Sequence, residues 1–307
     1  MNQDKVKGAL LGVAVGDALG GPMEFMSSSE IKHRYGRVTE MLGGGWLNLR
    51  PGEVTDDTEM TLCVAYGIAS SPKKPLRDIG MNFVAWIHQA KDVGETCRLA
   101  ILHAKKTANL SENPDWDDVW RKAAQYADFK LNGKSAGNGS LMRTIYPALY
   151  YDDEEQAAHI AAMQSQMTHY DPVSAEVCAW YVRLVHRIVR GMNKEQLTKE
   201  IQWRYPELIH PCEPTGYVMD TLSCALRSVL YSSSAEEAII HAANLGGDTD
   251  TIAAIAGGIA GALYGAQSLP KRWIQALTPE IRSQIDELTQ VVFNHSVQFE
   301  SILSLPG

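Results

Sequence analysis

From Ile252 to Gly265 the chain reads IAAIAGGIAGALYG, without one charged residue. A helical segment that is apolar on every side has no face to offer to water, so it belongs at the centre of a globule. Its first turn is of the opposite character: Gly246-Gly247-Asp248-Thr249-Asp250-Thr251 sets two carboxylates two residues apart among hydroxyls. A helix drawn to the centre carries that turn inward with it. Hard oxygen ligands in such a place suit a Mg²⁺ or Mn²⁺ ion. Far upstream, Thr55-Asp56-Asp57-Thr58 repeats the arrangement ahead of a second apolar run, Met60 to Ile68. If the fold joins the two, a site for two divalent ions follows.

The rest of the chain is read as helices. Apolar residues recur at helical spacing from Val6 to Leu19, while Gly8, Gly12, Gly16 and Gly20 fall four apart, an interval that lets a second helix approach closely. Further helical patterns cover 59–70, 76–90, 95–108, 116–130, 140–151, 153–168, 172–190, 194–204, 215–231, 234–243, 250–266, 270–277 and 279–302. Residues 27–53 are loop-like, with turns at Gly43-Gly44-Gly45-Trp46 and Arg50-Pro51-Gly52. There is no convincing alternating strand and no repeat of fixed period. The expectation is an all-α, single-domain globule of a dozen or so helices over residues 1–307, with a central dinuclear metal cleft.

Composition narrows the function. The 28 Lys and Arg against 36 Asp and Glu leave a net charge of −8, and the cations are scattered, so there is no electrostatic footprint for nucleic acid. Five cysteines, Cys63, Cys97, Cys178, Cys212 and Cys224, fall in no zinc spacing and read as free thiols of a reducing compartment. Lys5 and Lys7 ahead of an apolar stretch imitate a short secretory signal, but Asp17 interrupts it. The run Ile252 to Gly265 is too short to span a bilayer. A cytoplasmic protein without membrane partner is expected, and a monomer for want of an exposed apolar repeat.

Each candidate residue has a plainer role to set beside the functional one. Asp56 can cap a helix, with Glu59 completing a capping box, yet one cap leaves Asp57 unexplained. An N-cap would likewise account for Asp248 or Asp250, not for four oxygen-bearing side chains in succession. Several acids converging inside the protein would raise one another's pKa values, and a divalent ion compensates them. Gly137-Asn138-Gly139-Ser140 is an ordinary turn or a phosphate cradle of successive N–H groups. His169, at a helix break, is a cap or a ligand contact. Tyr217 belongs to the core or stacks on a base. Asp92, between two helices, defaults to turn formation. No GxxxxGK[ST] or strand-borne GxGxxG is present, so nucleotide hydrolysis and dinucleotide redox chemistry lack their signals.

Taken in order, Gly16-Asp17-Ala18-Leu19-Gly20 with Glu24-Phe25, Gly43-Gly44-Gly45-Trp46, Thr55-Asp56-Asp57-Thr58-Glu59-Met60, Gly137-Asn138-Gly139 with Met142-Arg143, Thr168-His169, Tyr217 with Asp220-Thr221, and Gly246 to Thr251 resemble the ADP-ribosylglycohydrolase family. The resemblance spans roughly residues 5–280 and looks closest to the dinitrogenase reductase-activating glycohydrolase branch. It implies that Thr55, Asp56, Asp57, Asp248, Asp250 and Thr251 bind two Mg²⁺ or Mn²⁺ ions, with Glu24 beside them. It implies that Asn138, Gly139 and Ser140 cradle the pyrophosphate or distal ribose, that His169 contacts the same region, and that Tyr217 packs on the nucleoside. Asp92 would face a guanidinium, and Glu24, Asp57 and Asp250 would share the proton traffic. The implied activity is hydrolysis of the bond between ADP-ribose and an arginine of a target protein, with ADP-ribose as product.

Overall fold

The computed structural model of the chain describes residues 1–109, 114–209, 211 and 213–303. Among them are fifteen α-helices: α1 (Gln3–Gly20), α2 (Ser28–Tyr35), α3 (Asp56–Ser70), α4 (Leu76–Trp86), α5 (Glu95–Ala108), α6 (Trp116–Lys130), α7 (Tyr146–Tyr150), α8 (Glu154–Gln166), α9 (Pro172–Val189), α10 (Lys194–Arg204), α11 (Val218–Leu230), α12 (Ala235–Ala243), α13 (Thr249–Tyr264), α14 (Lys271–Ala276) and α15 (Pro279–Leu303). Short 3₁₀ turns join several of them, and the only β pairings among the described residues are isolated bridges. The all-α reading of the sequence therefore holds, in one compact body around a continuous apolar core.

At the centre α1 and α13 lie antiparallel with their backbones touching. A Cβ placed on Gly12 would stand 2.0 Å from the carbonyl oxygen of Gly257, and one on Gly16 the same distance from that of Ala253. From the other side, a Cβ on Gly261 would meet the carbonyl oxygen of Gly8 at 1.9 Å. The glycines four apart in α1 thus face the small residues of α13, as the spacing anticipated. Side chains of ordinary size would hold such helices about 8–10 Å apart. Because the two run antiparallel, the C-terminal turn of α1 and the N-terminal turn of α13 share one end of the seam, which brings Asp17 beside Asp250.

Two parts of the sequence reading are corrected here. Residues 28–35 are not loop but α2, which buries Ile31 and is started by a capping box in which Ser27 and Glu30 exchange bonds with each other's backbone N–H. The segment 140–151 is not one helix: Asn138–Ser140 is a 3₁₀ turn and α7 begins only at Tyr146. Pro147 fits the first turn of a helix and no later position, since it lacks an N–H and crowds the carbonyl four residues back.

The cysteines also divide. Cys63, Cys97 and Cys178 are free, whereas Cys224 is disulfide-bonded; Cys212 lies outside the described residues. Pairing depends on which sulfurs the fold brings within reach, which neither count nor spacing specifies. This removes the cysteine argument for a reducing compartment. No helix among the described residues is long and apolar enough to cross a membrane.

Candidate active site

The start of α3 is held by α1 rather than by its own residues. Thr55 is the N-cap of α3 but makes no side-chain cap bond, and Asp56 and Asp57 occupy the first two helical positions. The orphan N–H groups are met by Asp17, whose carboxylate accepts from the backbone N–H of Thr55 and of Thr58, each at 3.0 Å. The hydroxyls of Thr55 and Thr58 donate to it at 2.9 and 2.5 Å. The capping box that was the plainer role open to Asp56 and Glu59 is therefore absent, and Glu59 instead accepts from the indole of Trp86 at 2.6 Å. Freed from capping, Asp56 and Asp57 turn to the end of the α1–α13 seam.

Asp57 Oδ2 accepts from Thr251 Oγ1 at 3.2 Å, which ties the start of α3 to that of α13. Asp248 is the N-cap residue of α13, yet it makes no cap bond and accepts from Asn138 Nδ2 at 2.7 Å. Gly246 and Gly247, both at positive φ, pass this loop against the residues after α1: Phe25 N–H donates to the Gly247 carbonyl and Gly247 N–H to that of Met26, both at 2.8 Å. The stitching sets Glu24 above Asp250. Oxygen atoms of Glu24, Asp92 and Asp250 lie within 4.8 Å of one another.

These acids border a cavity of about 420 Å³. Glu24, Asp56, Asp92, Asn138, Gly139, His169, Asp248, Asp250 and Thr251 line it, while Thr55 and Asp57 sit just behind. No lysine or arginine is among its described lining residues. Burial, followed by the charges of neighbouring carboxylates, holds Asp56, Asp57 and Asp250 well above the usual carboxylate range. Burial also raises Asp92, and it raises Glu24 to about 8 with Asp92, Asp248 and Asp17 adding to it. For Asp17, burial outweighs the four bonds it accepts, and its pKa stands at about 6.

Such a cluster calls for positive charge, and the donor set suits a divalent cation. Asp57 Oδ1 is buried with no hydrogen-bond partner, a position that ordinarily costs about 1–3 kcal/mol. An oxygen acceptor left open among carboxylates and threonine hydroxyls matches the ligands that Mg²⁺ and Mn²⁺ prefer.

On the far wall lies the turn after Gly137. Asn138 N–H donates to the Gly216 carbonyl at 3.0 Å, and Gly137 forms a bridge with Tyr217. His169 is buried, its Nδ1 at 2.8 Å from Thr168 Oγ1, which in turn accepts from the buried guanidinium of Arg143 at 2.8 Å. A hydroxyl that accepts from a cation has its own proton free for Nδ1, which assigns the remaining ring proton to Nε2, beside Gly137 and Gly139. Burial, and then the Arg143 charge, lower the His169 pKa to about 3, so the ring is a neutral donor. Two expected contacts are not brought to the cavity. The Ser140 hydroxyl accepts from Ser165 at 2.8 Å in the core, and Tyr217, half exposed, flanks the turn without lining the cavity.

The sequence model of the ADP-ribosylglycohydrolase family matches residues 1–299. This chain belongs to the ADP-ribosylglycohydrolase family. It is 34% identical over 310 residues to the ADP-ribosyl-(dinitrogen reductase) glycohydrolase of Rhodospirillum rubrum, covering 93% of this chain and 95% of that protein. It is 30% identical over 313 residues to the ADP-ribosylarginine hydrolase Tri1 of Serratia proteamaculans, covering 94% of this chain and 79% of that one. Among solved structures, an ADP-ribosylglycohydrolase-related protein complex matches with a TM-score of 0.78 and 30% identity, over 95% of this chain and 98% of that chain.

Within this ADP-ribosylglycohydrolase, the sequence reading assigns no site role to Asp17, buried behind the acids, or to Trp46, which lines the cavity. Asp17 stands in one motif of the family resemblance and as a charge that interrupts an apolar stretch, and that interruption is its signal: a carboxylate in a buried stretch of helix must have partners. Trp46 showed as part of a glycine turn. Its indole N–H donates to Glu24 Oε2 at 2.7 Å, a contact across 22 residues that no local pattern announces.

Proposed function

We propose that this glycohydrolase hydrolyses the N-glycosidic bond of ADP-ribosyl-arginine on a target protein, releasing ADP-ribose and restoring the arginine. The reading takes residues 1–307 as one catalytic domain. The observation that carries it is the convergence of Asp92, Glu24 and Asp250 in an acidic cavity whose described lining residues include no lysine or arginine. That environment favours a positively charged leaving group, and the two named relatives are described as acting on ADP-ribosylated dinitrogen reductase or arginine.

Thr55, Asp56, Asp57, Asp248, Asp250 and Thr251 would hold two divalent ions, Mg²⁺ or Mn²⁺. Bound there, they would neutralise the acids and lower the pKa of water. The chain's own residues supply the remainder. Asp92 orients the guanidinium through charge-assisted bonds. Asn138 N–H and Nδ2 are committed to Gly216, Thr221 and Asp248, so they shape the distal wall, while His169 Nε2–H is the donor offered to ribose or phosphate oxygens. The bond from the anomeric carbon to the guanidinium nitrogen breaks and one to the water oxygen forms. A proton lost by water passes to one of Glu24, Asp57 and Asp250, and one returns to the departing nitrogen.

The test is release of ADP-ribose from an arginine-ADP-ribosylated protein with Mn²⁺ or Mg²⁺ and then with EDTA, on wild type and on Asp250→Ala and Asp92→Ala. Release should need the metal and fall by about 10³-fold or more in both variants, with metal binding retained in Asp92→Ala. Cleavage of a serine-linked substrate only, or of neither, would overturn the arginine assignment.

A further inference from the structure

Phe25 and Trp46 are left without a part in the reaction described above, yet both line its cavity. Phe25 is 70% exposed and Trp46 55% exposed, and their ring centroids lie 5.7 Å apart with the planes tilted by 40°. Phe25 also holds a positive φ of 66°, which an L-residue with a Cβ adopts only at a cost of about 1–2 kcal/mol. Strain that ends in an exposed phenyl ring brings nothing to the core, and strain of this kind gathers where ligands are met.

Trp46 is presented as deliberately. Gly44 and Leu49 exchange N–H to carbonyl bonds at 2.6 and 2.8 Å, closing a short hairpin, and Gly45 packs on Pro22. The hairpin delivers the indole edge to Glu24 and leaves the ring at the cavity mouth. Glu24 in turn stands within 4.8 Å of the oxygens of Asp92 and Asp250. Two exposed rings therefore line the same cavity as three carboxylates.

A ligand that uses both is planar and cationic: its edge donates to carboxylates and its face lies on π-systems. A guanidinium meets both demands. A neutral base would find the stacking but would bring no charge to the carboxylates. We propose that Phe25 and Trp46 form the leaving-group subsite, receiving the guanidinium face of the modified arginine while Asp92 takes its edge. This deepens the arginine reading above and rests on it.

Steady-state hydrolysis of an ADP-ribosyl-arginine peptide and calorimetric binding of free ADP-ribose, both with Mn²⁺, on wild type, Phe25→Ala, Trp46→Ala and Trp46→Phe, test it. Truncation of either ring should lower kcat/KM for the peptide by about tenfold, and agmatine should weaken as an inhibitor by a similar factor. Affinity for ADP-ribose should stay within about twofold, and Trp46→Phe, which keeps a ring, should recover much of the loss. Equal losses in ADP-ribose binding would show that the rings hold the nucleotide, and no change in either measurement would show that they hold nothing; each overturns the subsite. In both cases wild type still cleaves the arginine linkage, so the reaction itself survives. Should wild type cleave only a serine linkage, the reaction and the subsite fall together.

Discussion

The floor and the mouth of the cavity are built under different constraints. Along the floor, α1 and α13 touch through glycines whose absent side chains are the condition of contact, and the Cβ of any other residue would overlap a carbonyl. At the mouth, Gly44 has nothing within 4 Å of where its Cβ would stand, and Phe25 and Trp46 face water. The floor fixes where the acids are, because a helix pair in backbone contact has little room to shift. The mouth fixes what may approach them. Precision of placement and freedom to select a substrate are thus assigned to separate parts of one chain.

Enlarging a floor glycine is the most damaging way to probe this division. Gly12→Val places atoms inside the Gly257 carbonyl, and helices that cannot separate without emptying the core should lose about 3 kcal/mol or more, read as a fall in the urea midpoint or as insoluble expression. A stability within about 1 kcal/mol of wild type would mean that the seam can open and that the floor is not the rigid half.

Asp17→Asn sharpens the comparison from the chemical side. The amide keeps the shape but sets its own N–H groups against those of Thr55 and Thr58, so the start of α3 should be misplaced by a small distance. Mn²⁺ affinity by calorimetry should fall by about 10–100-fold, the range typical of residues that orient metal ligands. Unchanged affinity would leave Asp17 as a helix cap alone.

The acids of the floor also predict a pH dependence. Asp17 at about 6 and Glu24 at about 8 are raised above their unfolded values near 3.9 and 4.3, so between those limits the folded protein binds more protons than the unfolded chain. Their contribution to stability is complete below about pH 4 and is lost as the pH rises through about 6 and then about 8. Melting of metal-free protein should therefore show a declining contribution over that window, and added Mn²⁺ should raise Tm more at pH 8 than at pH 6, because binding displaces protons. A Tm gain independent of pH would indicate that the acids ionise without the ion.

The mildest change belongs to the mouth. Gly44→Ala meets no neighbour and bears only the strain of a Cβ at φ 93°, so it should cost about 1 kcal/mol in urea unfolding. A loss as large as that of Gly12→Val would erase the distinction between the two regions.

How far the sequence carried this reading depends on the range of the interaction concerned. The helices showed in local periodicity, and the acids of Thr55 to Thr58 and Gly246 to Thr251 stood out because no cap needs so many oxygens. α2 was missed although Ser27 and Glu30 spell its capping box, since its single buried side chain, Ile31, gives little apolar period to detect. The break at Pro147 was equally local and was overlooked.

By itself, the sequence determined that the chain is helical, that the segment after Thr251 is central, and that the glycines of α1 lie against another helix. These follow from periods and from side-chain volume, which are properties of neighbouring residues. Only the tertiary structure decided that the partner of α1 is α13, that Asp17 rather than Asp56 caps α3, that the Ser140 hydroxyl faces the core, and that Trp46 reaches Glu24. Each of those joins residues far apart in the chain or chooses between two directions for one side chain. Hydrogen bonds of that kind are settled by which groups the packed helices bring within about 3 Å, a distance that no local pattern encodes.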